Sequence, residues 1–254
     1  MERICEGDSV TLTTSDKHFW EPIFEVKHYL ASRLPDDARV LEIGPHRFRF
    51  DRATHFVDFT QRPDEIPVEK MTVCDVGNDP LPFPDKFFDF VYCRHVLEDL
   101  YNPFLCCREI NRVAKAGYVE TPSPTAELCK GIEGYSDGSR MVDWRGYHHH
   151  RWIVWSHTGE LRFVAKYPVI EHLDIRDELV AKMLRGTPKY WNTYHLWEGD
   201  LNWKHRQNAI DYDMMRDYQT MLGDAVNQSN ASTNEFWANV PVKIEIPAMR
   251  KAYA

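Results

Sequence analysis

From residue 17 to residue 33, apolar side chains recur at 19, 20, 23, 24, 26, 29 and 30. That is the spacing of one helix face, with Ser15 or Asp16 placed to cap it. A Leu-Pro-Asp-Asp turn at 34–37 closes this helix. Short apolar runs follow at 39–43, 55–58, 71–75, 88–93 and 117–121, each too brief for a helix. The stretch 96–113 has helical periodicity, interrupted near Asn102 and Pro103. Strands alternating with helical stretches predict a parallel sheet with helices on both faces. In such a sheet a ligand binds beyond the carboxyl ends of the strands, where the strand order reverses. The runs end on or beside Gly44, Asp58, Asp75, Arg94 with His95, and Thr121 with Pro122.

After Pro124 the pattern loosens. Residues 131–157 carry Gly131, Gly134, Gly138 and Gly146 together with Trp144, Trp152, Trp155 and four histidines. This predicts a loop-rich insertion or lid. Strand-like stretches lie within 161–169 and 170–175, residues 176–228 read as mainly helical, and 228–234 as a polar loop. Residues 240–246 alternate at period two and predict a final strand, which Pro241 places at a sheet edge.

The net charge of −8 argues against a nucleic-acid partner. The basic residues are scattered: Arg47, Arg49 and Arg52, then Arg108, Arg112 and Lys115, the second group reading as a solvated helix face. Cysteines stand at 5, 74, 93, 106, 107 and 129 with no Cys-x-x-Cys pair, which predicts reduced, mostly buried thiols. No run approaches a membrane span, and residues 1–14 hold no apolar signal core, so a cytoplasmic location is expected. The oligomeric state is left open.

Five ordered pieces carry a family likeness. Val-Leu-Glu-Ile-Gly-Pro at 40–45 resembles the first motif of class I S-adenosylmethionine-dependent methyltransferases. Asp75 with Leu-Pro-Phe-Pro-Asp at 81–85, Phe-Asp-Phe-Val at 88–91, and His-Val-Leu-Glu at 95–98 resemble the next stretch of the small-molecule "type 11" branch. Residues 108–113 and 115–117 are similar to the helix and turn before the fifth strand. The resemblance implies an α/β, Rossmann-like, mostly parallel sheet of seven strands with helices on both faces. It further implies one domain over 1–254: a cofactor-binding half at 36–124, a lid or substrate insertion at 125–235, and a final strand at 236–250. The implied cofactor is S-adenosylmethionine, and the implied reaction is methyl transfer to a small-molecule oxygen, nitrogen or carbon.

Gly44 lets the chain turn tightly and approach a ligand. Asp58 is placed to accept two ribose hydroxyls. The resemblance puts Asp75 near the adenine amine with Val76 packed on the ring, Glu42 near the methionine cation, and Arg94 and His95 facing the transfer centre. Taken singly, Asp58 or Asp75 is as readily a cap or turn residue, and His95 a packed strand-end group. The first motif departs from the family: its second glycine is replaced by His46, and Phe48 stands two residues further on. His46 or Arg47 could pair with the cofactor carboxylate, or His46 could close the site and leave a catalytically silent binding module. A nicotinamide dehydrogenase lacks support, because the glycine spacing that a pyrophosphate needs is absent. The family's Glu-His pair is here Glu98-Asp99.

Residues 144–157 allow three readings. They could build the acceptor pocket, with a histidine as general base. His148 and His150, which share a side on a strand, could bind a metal with His157 or Asp143. Or the aromatics could be structural. The residues 190–199 could also line the pocket. The candidate catalytic groups are therefore His95, His148 and His150, with Glu42, Gly44, His46, Asp58, Asp75, Val76 and Arg94 on the cofactor, and no metal ligand assigned.

Overall fold

Each of the five apolar runs forms a strand. The computed structural model describes residues 23–45, 48–61, 66–133, 144–207 and 213–240. The chain runs α1 (Phe24–Ser32), β1 (Val40–Ile43), β2 (His55–Asp58), β3 (Met71–Val73), β4 (Phe90–Arg94), α2 (Pro103–Val113), β5 (Ala116–Pro122) and α3 (Pro124–Leu128). It continues through β6 (Trp152–His157), β7 (Glu160–Ala165), α4 (Asp177–Gly186), β8 (Asn192–Glu198), β9 (Asn202–His205) and α5 (Met214–Asn239).

The main sheet has the order β3-β2-β1-β4-β5-β8. Its first five strands are parallel, and β8 runs antiparallel along β5. This is the Rossmann-like α/β fold that the motifs imply, with six strands among the described residues where seven are predicted. The order reverses between β1 and β4, which opens a crevice at their carboxyl ends. Both faces of the sheet are covered. Leu41, Ile43, Val91 and Val119 bury one face against α2 and the second sheet, while Val40, Phe90, Tyr92 and Tyr118 bury the other with α1 and Trp237 of α5. Each such aliphatic side chain contributes roughly 1.5–3 kcal/mol, which is why these strands read as continuous apolar runs.

The interruption near Asn102 is the start of α2. Asn102 accepts the Leu105 N–H as N-cap, and Pro103 occupies the first turn, where its missing N–H costs nothing. Residues 97–99 form a turn instead of helix. Arg112 is not on a solvated face: it donates to Glu109, to Asp85 and to the Leu81 and Phe83 carbonyls, pinning the 81–85 loop to α2. Cys74, Cys93, Cys106, Cys107 and Cys129 are buried free thiols; Cys5 lies outside the described residues.

The segment after α3 departs most from the sequence reading. β6, β7 and β9 form a separate three-stranded sheet. Thr158 and Gly159, both at positive φ, make the two-residue turn between β6 and β7. The strand-like stretch at 170–175 begins in a single 3-10 turn, Pro168–His172. The residues 192–198, expected to be helical, are β8. The polar run 228–234 lies inside α5, where Ser229 and Thr233 face inward and the Ser229 hydroxyl meets that of Thr193 at 3.0 Å. The predicted final strand meets a helix at its start, since α5 runs to Asn239; residues 241–250 lie outside the described residues. Among the described residues no helix is long and apolar enough to cross a membrane.

Candidate functional site

A cavity of about 580 Å³ lies at the carboxyl ends of β1 to β4. Gly44, Asp58, Asp75 and Val76 line it, as do Arg94 and His95. Asp99, Tyr147, His149 and His150 also line it. The strand ends therefore converge as their positions in the sequence require.

Gly44 leaves β1 at φ 68°, and a Cβ there would run into the Val96 side chain. Glycine is demanded on both counts. Glu42, one residue pair back on β1, does not line the cavity. It is 3% exposed, and its Oε2 accepts the Phe50 N–H at 3.0 Å, bracing the loop that follows Gly44. Burial pushes its pKa from an ordinary 4.5 to about 8, against the pull of that N–H and of Lys27. The folded chain thus holds a proton that the unfolded chain has lost between about pH 4.5 and 8, so stability falls as pH rises through that window. Glu42→Gln keeps an acceptor for Phe50 and removes the slope. Denaturant unfolding is expected to show a gain on the order of 3 kcal/mol at pH 7 and little difference near pH 4; an equal gain at both would place the effect elsewhere.

Asp58, at the end of β2, is buried and faces the cavity. Asp75 combines both readings given above: it lines the cavity, yet its carboxylate accepts the Gly77 N–H at 3.0 Å and the Asn78 amide at 2.8 Å. It shapes the turn that carries Val76. His46 and Arg47 lie outside the described residues, as do Asp143 and the rest of 134–143.

Arg94 is drawn into a buried network. Its Nε donates to Glu120 Oε1 at 2.7 Å, Asn192 donates to the same oxygen at 3.1 Å, and the Tyr118 hydroxyl donates to Oε2. Burial alone would raise the Glu120 pKa; Arg94, His95 and the Tyr118 hydroxyl hold it at about 2. His95 sits just past β4 at φ 53°, a left-handed conformation uncommon for a side chain of its size. Its N–H donates to the Glu120 carbonyl at 2.8 Å. The ring stands between carboxylates, Nδ1 3.4 Å from Glu98 and Nε2 3.6 Å from Glu120.

The 144–157 segment divides. Trp152 and Trp155 are structural: Trp152 bonds the Leu100 carbonyl, and Trp155 is buried with its indole N–H on Gln228. The Arg151 and Trp152 N–H groups both donate to the Glu98 carbonyl, tying the segment to the turn after β4. His148 is exposed outside the cavity, with Nδ1 2.6 Å from Glu133. His150 is buried, and its Nδ1 lies 2.6 Å from Glu127. Burial opposes charge on His150, but Glu127 outweighs it and the pKa sits above the ordinary value. His149, half-exposed, has its pKa lowered by burial and by His150. Asp99 is raised to about 6 by burial and by Glu98. The residues 190–199 do not line the cavity: Tyr194 stacks on Phe236, and Trp197 packs over Gly117.

Sequence reasoning missed Asp99, Glu120 and Glu127 as site residues, and it passed over His149 in favour of His148 and His150. Asp99 carried a signal, since it stands where the family pattern has histidine. Glu120 and Glu127 acquire their meaning only from partners distant in the chain.

Residues 46–119 match the family model described as a methyltransferase domain. No curated protein matches the chain. Among solved structures, the YcgJ protein of Bacillus subtilis is 17% identical over 39% of this chain and 50% of its own, with a TM-score of 0.32. A SAM-dependent methyltransferase of Thermotoga maritima is 24% identical over 41% and 52%, with a TM-score of 0.30. Another, of Mesorhizobium loti, is 17% identical over 46% and 63%, with a TM-score of 0.32. The chain spans about half to three fifths of the length of these structures. Residues 46–119 thus match a methyltransferase domain, carried here on a Rossmann-like α/β sheet.

Proposed function

We propose that this chain transfers a methyl group from S-adenosylmethionine to an oxygen, nitrogen or carbon atom of a small-molecule acceptor. The observation that carries this reading is that Gly44, Asp58, Asp75 and Val76 line the same cavity as His95, His149 and His150. Its volume of about 580 Å³ falls within the roughly 300–1,000 Å³ of small-molecule sites. The residues present fit the cofactor. Gly44 leaves the backbone bare where a side chain would intrude, Asp58 offers a carboxylate to ribose hydroxyls, and Val76 offers an apolar surface to the adenine.

When bound, S-adenosylmethionine supplies an electrophilic methyl group on a sulfonium. The chain's own tasks are then alignment and exclusion of water. His95 faces the cavity between Glu98 and Glu120, either of which stabilises a proton taken from an acceptor hydroxyl or ammonium. Glu42 and Arg94 act as positioning residues, one bracing the loop after β1 and the other fixing Glu120 beneath His95. Phe59 and Tyr101, both strongly exposed at the cavity rim, offer apolar surface to an entering acceptor.

The test is calorimetric titration with S-adenosylhomocysteine, followed by transfer of labelled methyl from the cofactor to a panel of small hydroxyl, amine and carbon acceptors. One-to-one micromolar binding is expected, with label appearing in an acceptor and falling in His95→Ala. No binding by the natural chain, restored in His46→Gly, would overturn the reading in favour of a silent member of the fold.

A further inference from the structure

At the cavity, two adjacent histidines have their ring nitrogens engaged on opposite sides. His150 Nδ1 lies 2.6 Å from Glu127 Oε1, and the other Glu127 oxygen is held by Lys166 at 2.6 Å. His149 Nδ1 lies 3.4 Å from Glu133 Oε1. Both Nε2 atoms turn the other way, toward one oxygen: Asp99 Oδ1 is 3.6 Å from His149 Nε2 and 3.7 Å from His150 Nε2. That oxygen is buried without a hydrogen-bond partner. The three atoms all lie within 4.8 Å of one another.

The two separations from Asp99 are too long for hydrogen bonds. They suit atoms that share an ion, because two ligands each about 2.1 Å from a tetrahedral centre stand about 3.4 Å apart. An imidazole whose far nitrogen rests on a carboxylate is also how metal-bound histidines are oriented and made more basic. Here His150 has that support from Glu127 at 2.6 Å, and the far nitrogen of His149 faces Glu133 at 3.4 Å. We propose that Asp99, His149 and His150 bind a divalent first-row transition ion at the mouth of the cavity.

Two imidazoles and one carboxylate suit zinc, manganese or iron(II), and three protein ligands leave coordination positions open toward the cavity. A neighbouring trio, Glu133, His148 and His149, is less suited. Glu133 Oε2 already accepts the His148 N–H and the Trp144 indole N–H, each at 2.9 Å, and meets His148 Nδ1 at 2.6 Å. Ion binding stands apart from methyl transfer. Only its use, to anchor an oxygen-bearing acceptor, rests on the proposed reaction; His150 is then a ligand and His95 remains the proton acceptor.

Chelator-stripped full chain is titrated, without cofactor, with Co²⁺ followed by visible absorption and with Zn²⁺ by calorimetry. One equivalent of either ion is expected to bind. Asp99→Asn, which keeps the shape of the side chain, and His149→Ala are each expected to weaken binding by at least about tenfold, while His148→Ala changes it less than about threefold. Circular dichroism of each variant separates lost ligation from lost fold. The proposal is overturned if the natural chain binds no ion, if folded Asp99→Asn binds as tightly as the natural chain, or if His148→Ala abolishes binding. The last result would assign the ion to the exposed trio. Because no cofactor is present, failure here leaves S-adenosylhomocysteine binding untouched, and the two readings fall separately.

Discussion

Replacing Arg94 by methionine is expected to lower the stability of the fold by about 3–5 kcal/mol, the usual loss when one partner of a buried ion pair is removed. The effect comes mainly from what is left behind. Glu120 is 1% exposed, and without the guanidinium it must either stay charged in an apolar setting or take up a proton. Its hydrogen bonds from Tyr118 and Asn192 remain, but neither neutralises it. The sign of the pH dependence follows. In the natural chain Glu120 is held at about 2, below an ordinary 4.5, so its contribution is complete above pH 4.5 and is lost as pH falls toward 2. The gap between Arg94→Met and the natural chain should therefore be widest at neutral pH and narrow in acid. Urea unfolding at pH 7 and pH 3 measures it. A loss under about 1 kcal/mol at neutral pH would mean that another group compensates, and His95, 3.6 Å away, is the nearest on hand. Arg94→Met combined with Glu120→Met should recover much of the loss, since the pair then leaves no stranded charge.

Asp58→Ala is expected to have the second large effect, on cofactor affinity. Hydrogen bonds to a charged group contribute about 1.5–3 kcal/mol each. Two from ribose hydroxyls to Asp58 correspond to a loss of roughly a hundredfold to ten-thousandfold in affinity for S-adenosylhomocysteine. Asp58→Asn, which still accepts but carries no charge, should fall between. A change smaller than about threefold in calorimetry would remove Asp58 from the site. Asp75 offers the contrast. Its carboxylate serves the turn at 76–78, so Asp75→Ala should weaken binding and stability together.

The first half of the fold was legible because its strands are parallel and, β3 apart, central. With both faces buried, residues 40–43 and 90–93 contain almost nothing but apolar side chains, and the helix between them and β5 keeps a clear periodicity. β8 was not, for a related reason. Its aromatic run, too, is buried on both faces, so the alternation that marks a strand is missing and helix was the default. The polar run in α5 misled in the opposite sense. Ser229 and Thr233 are small enough to be buried, and the Ser229 hydroxyl is satisfied by Thr193 of β8, so burial there needs no apolar residue. At the site, the strand-end residues followed from topology alone. The histidines did not. A strand would put His148 and His150 on one side, but residues 148–149 form a turn, and the turn brings His149 and His150 together instead.

The antiparallel pairing of β8 also sets an order of events during synthesis. β5 and its partner are separated by roughly 70–80 residues of chain, and a ribosome adds about 5–20 residues each second. For some seconds the nascent sheet has five strands and a bare outer edge on β5. An open edge invites pairing with another chain, and an inward-pointing charge or a proline on it discourages that. β5 has both, in Glu120 and Pro122. The carboxylate that anchors the finished site also guards the strand while its neighbour is still being made.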